Sequence, residues 1–472
     1  MGFGHRIGDT LRLTTGVRRL VLVVVVLSLA AGLGTTVAIT APSLLTKLGL
    51  LGGEEPPPAQ LHPALVPLGS GAPTPTGPGV AAELDRLVAS GGLGRFGGTV
   101  LDASTGQVLW SRDDSRPLVP GSTAKLLTGA AALLALAPTQ RLITRVVAGP
   151  TPDSVVLIGG GDPTLTALPA GKESVYAGAP RLDALAEAVR ASRTTPVKTV
   201  FYDVNRYTGD ALAPGWVPAD VPGGFVAPIV PMMLDGGRVD PTQQDGSRVA
   251  LPAKAVAQGL AQRLGALPDT VAVGTAPAGA AMLGQVASLP VSELVEQMLR
   301  NSDNVLAEVL AREVSVAHGG EGSFAGGTRA VLDTVAKAGF DVGGVTISDG
   351  SGLSTQDQMP ARLLAQLLAA SAGPGRSPEQ GAQLRILAAG LPVAGGDGTL
   401  DQRFGAGASA AGRGYVRAKT GTLNDVTSLA GLVPTADGRL LVFALMSNGA
   451  LPAEVRPRLD AMATVLHSCG CR

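Results

Sequence analysis

The sequence predicts a mixed α+β fold whose antiparallel sheet is assembled from both ends of the folded region. Two strand-like runs, 96–101 and 107–111, lie near its start on either side of a Ser-Thr-Gly turn. Three more follow one another near the end of the chain, at 416–418, 427–433 and 440–446. Apolar residues at helical spacing occupy much of the sequence between the two groups. This arrangement favours one sheet flanked by helices.

The first 80 residues divide into a basic start, an apolar segment and a linker. Residues 1–19 carry four arginines against one aspartate, and residues 20–41 form an uncharged apolar run of 22 residues. Such a run is long enough to cross a bilayer as a helix. The positive-inside rule then predicts a cytoplasmic 1–19, a membrane anchor at 20–41 and everything later outside, with a cleaved signal peptide as the alternative. Residues 42–80 are rich in Pro and Gly and predict an extended linker.

The folded region divides into a catalytic part and an insertion. Residues 81–160 and 286–472 contain the strand and helix patterns of the predicted sheet and its flanking helices. Residues 161–285 mix strand-like and helix-like pieces with a Pro- and Gly-rich stretch at 213–237, and they offer no convincing catalytic constellation. We therefore expect 161–285 to be an inserted accessory domain.

Composition excludes several classes of function. The chain of 472 residues has 37 basic and 37 acidic residues, so its formal net charge is zero, and aromatic residues make up only 3%. Neither property favours nucleic acid as a partner. The two cysteines, Cys469 and Cys471, end the chain without a His or Cys cluster, which makes a poor zinc site and leaves a disulfide open. We expect no metal and no cofactor, and the oligomeric state is not indicated.

Ser122 and Lys125 are the first pair that suggests chemistry. A spacing of three at the start of an apolar helix, predicted to run to about residue 137, places both side chains on one face. A lysine buried there loses its proton more easily and can act as a base, while the helix N-terminus directs N–H groups at developing negative charge. The alternative is a helix-capping serine beside a solvated lysine. Lysine is favoured as the base because no histidine is near in sequence; the four are His5, His62, His318 and His467.

The stretch Ser302-Asp303-Asn304 begins 180 positions after Ser122. Ser302 could relay protons, Asn304 could hold a substrate amide, and Asp303 is expected to face away and support the turn. The alternative is an ordinary helix N-cap.

The stretch Lys419-Thr420-Gly421-Thr422 lies in a strand-like run. Alternation along a strand would place Lys419 and Gly421 on one face. Gly421 removes a side chain where an extended substrate could approach, and Lys419 supplies a positive field for a carboxylate. The alternative is an edge strand whose lysine discourages aggregation.

In this order the three motifs resemble the class C low-molecular-mass penicillin-binding proteins, which are D-alanyl-D-alanine carboxypeptidases and endopeptidases of peptidoglycan. Further stretches that resemble this family lie at 160–165, 349–353 and 397–400. The resemblance extends from about residue 85 to the end of the chain. It implies a penicillin-binding, β-lactamase-like transpeptidase fold, peptidoglycan stem peptides as substrate and β-lactams as covalent inhibitors.

The resemblance also implies residue roles. Ser122 would form the acyl-enzyme after Lys125 removes its proton, and Ser302 and Lys419 would transfer a proton to the leaving D-alanine. In substrate binding, the resemblance implies that Asn304 holds the amide and that the N–H groups of Ser122 and Thr422 bind the oxyanion. The hydroxyls of Thr420 and Thr422, on either side of Gly421, would bind the carboxylate. One position departs from the family: Thr355 stands where arginine is frequent, which puts recognition of a charged stem-peptide side chain in doubt.

Two other functions remain as alternatives. A class A β-lactamase shares the three motifs, but its first two lie much closer together and a deacylating E-x-x-L-N stretch is absent here. A catalytically weak, membrane-tethered wall-binding protein would keep the fold without the chemistry. The sequence does not rank carboxypeptidase against endopeptidase action.

Overall fold

The computed structural model describes residues 71–373 and 377–470, which lie within one compact unit, Leu68–Arg472. The predicted cytoplasmic start 1–19, the apolar segment 20–41 and the linker as far as residue 70 lie outside the described residues. None of the helices in the described ranges is long and apolar enough to cross a bilayer.

The described residues form two five-stranded sheets and one short two-stranded ribbon. In chain order the strands are β1 (Arg95–Asp102), β2 (Val108–Arg112), β3 (Pro117–Leu118), β4 (Arg141–Ala148), β5 (Ser154–Ile158), β6 (Thr199–Asp203), β7 (Val271–Val273), β8 (Met282–Pro290), β9 (Met359–Pro360), β10 (Arg417–Leu423), β11 (Val426–Pro434) and β12 (Leu440–Asn448).

The α-helices flank these sheets and fill the space between them. In chain order they are α1 (Gly77–Ala89), α2 (Lys125–Ala135), α3 (Leu182–Ala191), α4 (Pro252–Leu264), α5 (Val291–Asn301), α6 (Asn304–Ala317), α7 (Phe324–Lys337), α8 (Ala361–Ala372), α9 (Pro378–Ala389) and α10 (Pro452–Ser468).

The first sheet joins the two ends of the folded region, as the sequence predicts. Its strand order is β10-β11-β12-β1-β2, and every neighbouring pair is antiparallel. Strand β1 pairs with β12 so that Val100 lies opposite Phe443. The predicted α+β class is therefore confirmed, and β10 lies at one edge of the sheet.

The second sheet has the order β7-β6-β5-β4-β8 and is mixed. Strand β4 is antiparallel to β5 and to β8, whereas β5, β6 and β7 are parallel. Buried residues of α3 and α4, such as Leu185 and Leu260, form a core of their own against it. Strands β4, β5 and β8 extend beyond the predicted limits of the accessory domain, 161–285, and those limits stay a prediction.

Helix α1 begins inside the predicted linker. Thr76 caps it, because its Oγ1 accepts a hydrogen bond from the Gly79 N–H at 3.1 Å. Pro78 lies in the first turn, where its missing N–H costs nothing. Capping chemistry within a Pro- and Gly-rich stretch thus starts a helix at Gly77, four residues before the predicted start of the folded region at 81. At the other end of the described chain, Cys469 is disulfide-bonded.

Helix α2 lies in the centre of the largest apolar core. Leu126, Leu127, Ala130 and Leu133 are all unexposed, as their helical spacing predicts. Burial of a leucine side chain contributes roughly 1.5–3 kcal/mol. The N-terminal end of α2, which carries Lys125, is therefore held firmly in place.

Candidate active site

Ser122 lies in the 3₁₀ turn Gly121–Ala124, which leads directly into α2. Gly121 has a φ of 55°, and a Cβ there would lie 3.1 Å from the Thr422 nitrogen. A Cβ on Gly421 would be 2.4 Å from the Pro120 carbonyl oxygen and 3.1 Å from the Ser122 nitrogen. The two glycines therefore let strand β10 pack against the serine turn, and this is the structural reason for a glycine at 421.

Lys125 is completely buried beneath this turn. Its Nζ lies 3.0 Å from Ser122 Oγ, 2.5 Å from Asn304 Oδ1 and 2.8 Å from the Ser351 carbonyl oxygen. Burial lowers the pKa of the Lys125 ammonium to about 8, although the charge of Asp349 and of further carboxyl groups opposes this shift. A substantial fraction of Lys125 is therefore neutral near physiological pH.

Ser302 ends α5 in the left-handed conformation, with a φ of 56°. This reversal lets α6 begin two residues later, with Asp303 as its N-cap: Asp303 Oδ1 accepts from the Leu306 N–H at 2.9 Å. Ser302 Oγ accepts a hydrogen bond from Lys419 Nζ at 2.9 Å. The turn thus directs Ser302 and Asn304 toward the two lysines, while Asp303 faces the protein interior.

Asp303 is held by a buried ion pair. Arg238 Nη2 lies 2.8 Å from Asp303 Oδ2, and the Tyr176 hydroxyl donates to the same oxygen at 2.8 Å. Burial alone would raise the pKa of Asp303, but the charges of Arg238 and Arg248 lower it well below its usual range. Breaking such a pair on one side costs about 3–5 kcal/mol, because an uncompensated charge remains buried.

Strand β10 brings the third motif to the site. Lys419 is unexposed, and its Nζ donates to Ser302 Oγ and to the Thr420 carbonyl oxygen. Burial, reinforced by the nearby Lys125 charge, lowers the Lys419 pKa well below its usual range. The Thr420 hydroxyl donates to Thr399 Oγ1 at 2.9 Å. Residues 397–400, one of the further stretches that carry the family resemblance, therefore also contact this strand.

These elements border a cleft of about 880 Å³. Ser122, Ser302, Asn304, Thr420 and Thr422 line it, whereas Lys125 and Lys419 contact its hydroxyl groups from behind. Every residue predicted from the three motifs is therefore brought to one place, and Thr355 also lines the cleft. In the described ranges no group of three or more His, Cys, Asp or Glu side chains could hold a metal ion.

Three contacts from the region between β6 and α4 were not foreseen from the sequence. The Asn304 amide donates to the Phe225 carbonyl oxygen at 2.9 Å, and the Trp216 indole N–H donates to Asp349 Oδ2 at 2.8 Å. The third is the Arg238 contact with Asp303. The only sequence signal was the Pro- and Gly-rich composition around Trp216, which marks a long irregular segment without saying what it touches.

Fold and site together define a serine-type peptidase, and comparison with known proteins gives the family. The D-Ala-D-Ala carboxypeptidase 3 (S13) family matches residues 80–251 and 241–469, so the chain belongs to that family. A carboxypeptidase of Mycobacterium tuberculosis is 44% identical over 419 residues, 88% of this chain and 89% of that protein. Carboxypeptidase DacB of Mycolicibacterium smegmatis is 43% identical over 419 residues, 88% of this chain and 90% of the relative.

Solved structures support the fold independently. Penicillin-binding protein 4 of Haemophilus influenzae superposes with a TM-score of 0.67 at 21% identity, and the match covers 81% of this chain and 98% of the other. The predicted family, fold class and enzyme class, a serine-type D-Ala-D-Ala carboxypeptidase, are thus confirmed.

Proposed function

We propose that this enzyme cleaves D-alanyl-D-alanine ends of peptidoglycan stem peptides through an acyl-enzyme on Ser122. The observation that carries the proposal is the set of three contacts around Lys125 Nζ. A neutral amine has two N–H bonds and one lone pair. Two of its neighbours, Asn304 Oδ1 and the Ser351 carbonyl oxygen, can only accept hydrogen bonds, so the lone pair is left for the Ser122 hydroxyl at 3.0 Å.

Acylation then follows from this geometry. Lys125 takes the hydroxyl proton as Ser122 Oγ bonds to the carbonyl carbon between the two D-alanines. The carbonyl oxygen becomes an oxyanion that the backbone N–H groups of Ser122 and Thr422 stabilise. One N–H of the Asn304 amide is engaged by Phe225, so the second can hold the substrate amide.

The leaving group needs a proton when the peptide bond breaks. Ser302 Oγ borders the cleft and bonds to Lys419, so its hydroxyl is placed to give a proton to the departing amine. The proton that Lys125 took from Ser122 replaces it, which leaves Ser302 and Lys125 as they began.

The hydroxyls of Thr420 and Thr422 hold the terminal carboxylate, and Lys419 strengthens that contact. For this the Thr420 hydroxyl turns its one proton from Thr399 Oγ1 to the carboxylate. Water releases the shortened peptide in a second step that regenerates Ser122.

β-Lactams present a reactive amide beside a carboxylate and should acylate the same serine. The cleft volume of about 880 Å³ exceeds what one departing D-alanine needs. A cleft of this size can hold peptide on both sides of the cleaved bond, which leaves endopeptidase action on cross-linked peptides as a second candidate activity. The region 161–285, which we propose as an accessory domain, supplies part of the cleft wall through Val217 and Phe225.

The test compares the wild type, Ser122→Ala and the control Ser371→Ala. Ser371 is also buried, but it lies in α8, where its hydroxyl donates to the Leu368 carbonyl oxygen. Wild type and control should release D-alanine from a pentapeptide and form a penicillin adduct on the peptide that contains Ser122. Ser122→Ala should do neither. Equal D-alanine release by Ser122→Ala would contradict the proposal, and rapid penicillin turnover would favour a β-lactamase.

We also propose that residues 20–41 anchor the enzyme in the membrane with its cleft outside. The uncharged run of 22 residues and the preceding arginines support this. The full chain should remain in the membrane pellet after alkaline carbonate extraction, whereas a chain beginning at residue 42 should not. If expression of the full chain yields a soluble protein that has lost its N-terminal residues, the segment is a cleaved signal peptide instead.

A further inference from the structure

The turn that follows Asp349 is organised by one buried carboxylate. Asp349 is unexposed, and its Oδ1 accepts from the Ser351 N–H at 3.0 Å and the Gly352 N–H at 2.6 Å. Its Oδ2 accepts from the Ser354 N–H at 2.7 Å and from the Trp216 indole N–H at 2.8 Å. Four N–H donors surround the two oxygens, so the carboxylate fixes the backbone of the turn and the Trp216 indole at the same time.

The same turn is fixed from its other side by two helices. The Gly350 N–H donates to Glu308 Oε2 of α6 at 2.8 Å, and the Thr128 hydroxyl of α2 donates to the Gly350 carbonyl oxygen at 2.6 Å. Gly352 has a φ of 77°, and a Cβ there would lie 2.0 Å from the Gly121 carbonyl oxygen. The turn is thus wedged between α6 and the turn that carries Ser122.

This fixed turn presents one atom to the reaction centre, the Ser351 carbonyl oxygen, 2.8 Å from Lys125 Nζ. A lysine amine rotates about its last bond, so its lone pair has no direction of its own. With Asn304 Oδ1 and the Ser351 oxygen both engaging N–H bonds, only one orientation remains, and it directs the lone pair at Ser122 Oγ.

We propose that Asp349 is a positioning residue for acylation: its carboxylate holds the turn whose Ser351 carbonyl orients the amine of Lys125 toward the Ser122 hydroxyl. The inference rests on the proposed roles of Ser122 and Lys125. Asp349 touches neither substrate nor the reacting atoms, and its effect passes through the backbone of the turn.

Asp349 also acts on the pKa of Lys125 through its charge. The carboxyl groups that act on Lys125 are those of Asp349, Glu308, Asp303 and Asp357, and Lys419 is the other lysine nearby. Burial and the Asp349 charge raise the pKa of Glu308 to about 8 and that of Asp357 to about 10. Arg238 compensates Asp303. Of these carboxyl groups, Asp349 opposes the lowering of the Lys125 pKa most strongly.

The experiment measures the second-order rate of acylation by a fluorescent penicillin as a function of pH, using the full chain. Asp349→Asn replaces one carboxylate oxygen, which accepts hydrogen bonds, with an amide NH₂ group, which donates them. This group would face N–H donors of the turn, so the turn should loosen. We expect the limiting rate to fall by about 10- to 100-fold. We also expect the rate to reach its half-maximum about one pH unit lower, because a charge that favours protonated Lys125 is gone. A role in stability alone would lower the melting temperature and leave that midpoint unchanged.

Two further variants separate position from charge. Thr128→Val removes the hydrogen bond to Gly350 without altering any charge, so it should lower the rate by about 5- to 10-fold with an unchanged midpoint. Asp102→Asn is the matched control: Asp102 is also buried and accepts from the N–H groups of Ser104 and Thr105, but in the turn between β1 and β2. It should keep the wild-type rate and midpoint.

The outcomes distinguish this inference from the proposed function beneath it. A wild-type rate and midpoint in Asp349→Asn would overturn the inference. If Asp349→Asn does not fold, a wild-type rate in Thr128→Val would overturn it instead. A wild-type protein that penicillin does not label at Ser122 would instead overturn the proposed function.

Discussion

The two sides of the cleft each bury a lysine, but they surround it differently. On the helical side, Lys125 is acted on by carboxyl groups of α6 and of the turn after Asp349. On the sheet side, Lys419 donates to a hydroxyl and a backbone carbonyl, and the charge of Lys125 lowers its pKa further. Both side chains are completely unexposed.

This difference gives the two lysines different electrostatic surroundings. Burial disfavours the charged form of both. For Lys125 the carboxyl groups oppose that effect and leave the pKa at about 8, so the base is poised near physiological pH. For Lys419 the charge of Lys125 acts in the same direction as burial, and together they lower its pKa well below the usual range. The carboxylate of the substrate is then the counter-charge that would favour its protonation.

The sequence-based interpretation of Lys419 as a positive field for a substrate carboxylate stays a prediction. Spacing and motif order identify a lysine on a strand but cannot show which charges act on it. In our interpretation the protein's own carboxyl groups favour the charged form of Lys125, whereas the carboxylate of a bound substrate would favour the charged form of Lys419. Three predictions test this comparison.

The largest effect is expected from Lys125→Met, which keeps the length and burial of the side chain but removes the base. Acylation by penicillin and hydrolysis of a pentapeptide should both fall by about 10²- to 10⁴-fold, the range of general-base catalysis. The remaining activity should no longer rise with pH around 8. A variant that retains wild-type acylation with an unchanged pH profile would show that another group removes the Ser122 proton.

A smaller and more selective effect is expected from Lys419→Met. Loss of a charged hydrogen bond to the terminal carboxylate should lower kcat/KM for a peptide ending in D-Ala-D-Ala by about 10- to 100-fold. The same peptide with an amidated C-terminus should lose much less, and it serves as the internal control. An equal loss for both peptides would mean that Lys419 acts in proton transfer only, through Ser302. In neither case should the pH midpoint set by Lys125 move.

What the sequence could predict follows a physical pattern. Local signals found both groups of strands in the first sheet, helix α2, and the residues of the three motifs, because each depends on spacing within a few positions. The supports of the site were missed because they join distant residues: Arg238 with Asp303, and Trp216 with Asp349. No periodicity encodes such pairs, and only the folded chain brings them together.

The smallest effect, and the sharpest test of the carboxyl side, is expected from Glu308→Gln. Burial and the Asp349 charge raise the pKa of Glu308 to about 8, so below that pH the side chain is already uncharged and glutamine is a close substitute. The acylation rate at pH 7 should stay within about twofold of wild type. Above about pH 8, wild-type Glu308 becomes negative and favours protonated Lys125; without it the midpoint should move down by a few tenths of a pH unit.

Glu313→Gln is the control for Glu308→Gln. Glu313 is a buried glutamate of the same helix, but it bonds to Arg206 and Tyr207 rather than to the turn near Lys125. It should leave the midpoint in place, although loss of its ion pair should lower the melting temperature. A tenfold fall in the pH 7 rate of Glu308→Gln would contradict the protonated resting state of Glu308. Equal midpoints in both variants would mean that the carboxyl charge of Glu308 does not tune the pKa of Lys125. Burial would then be the effect left to act on both lysines.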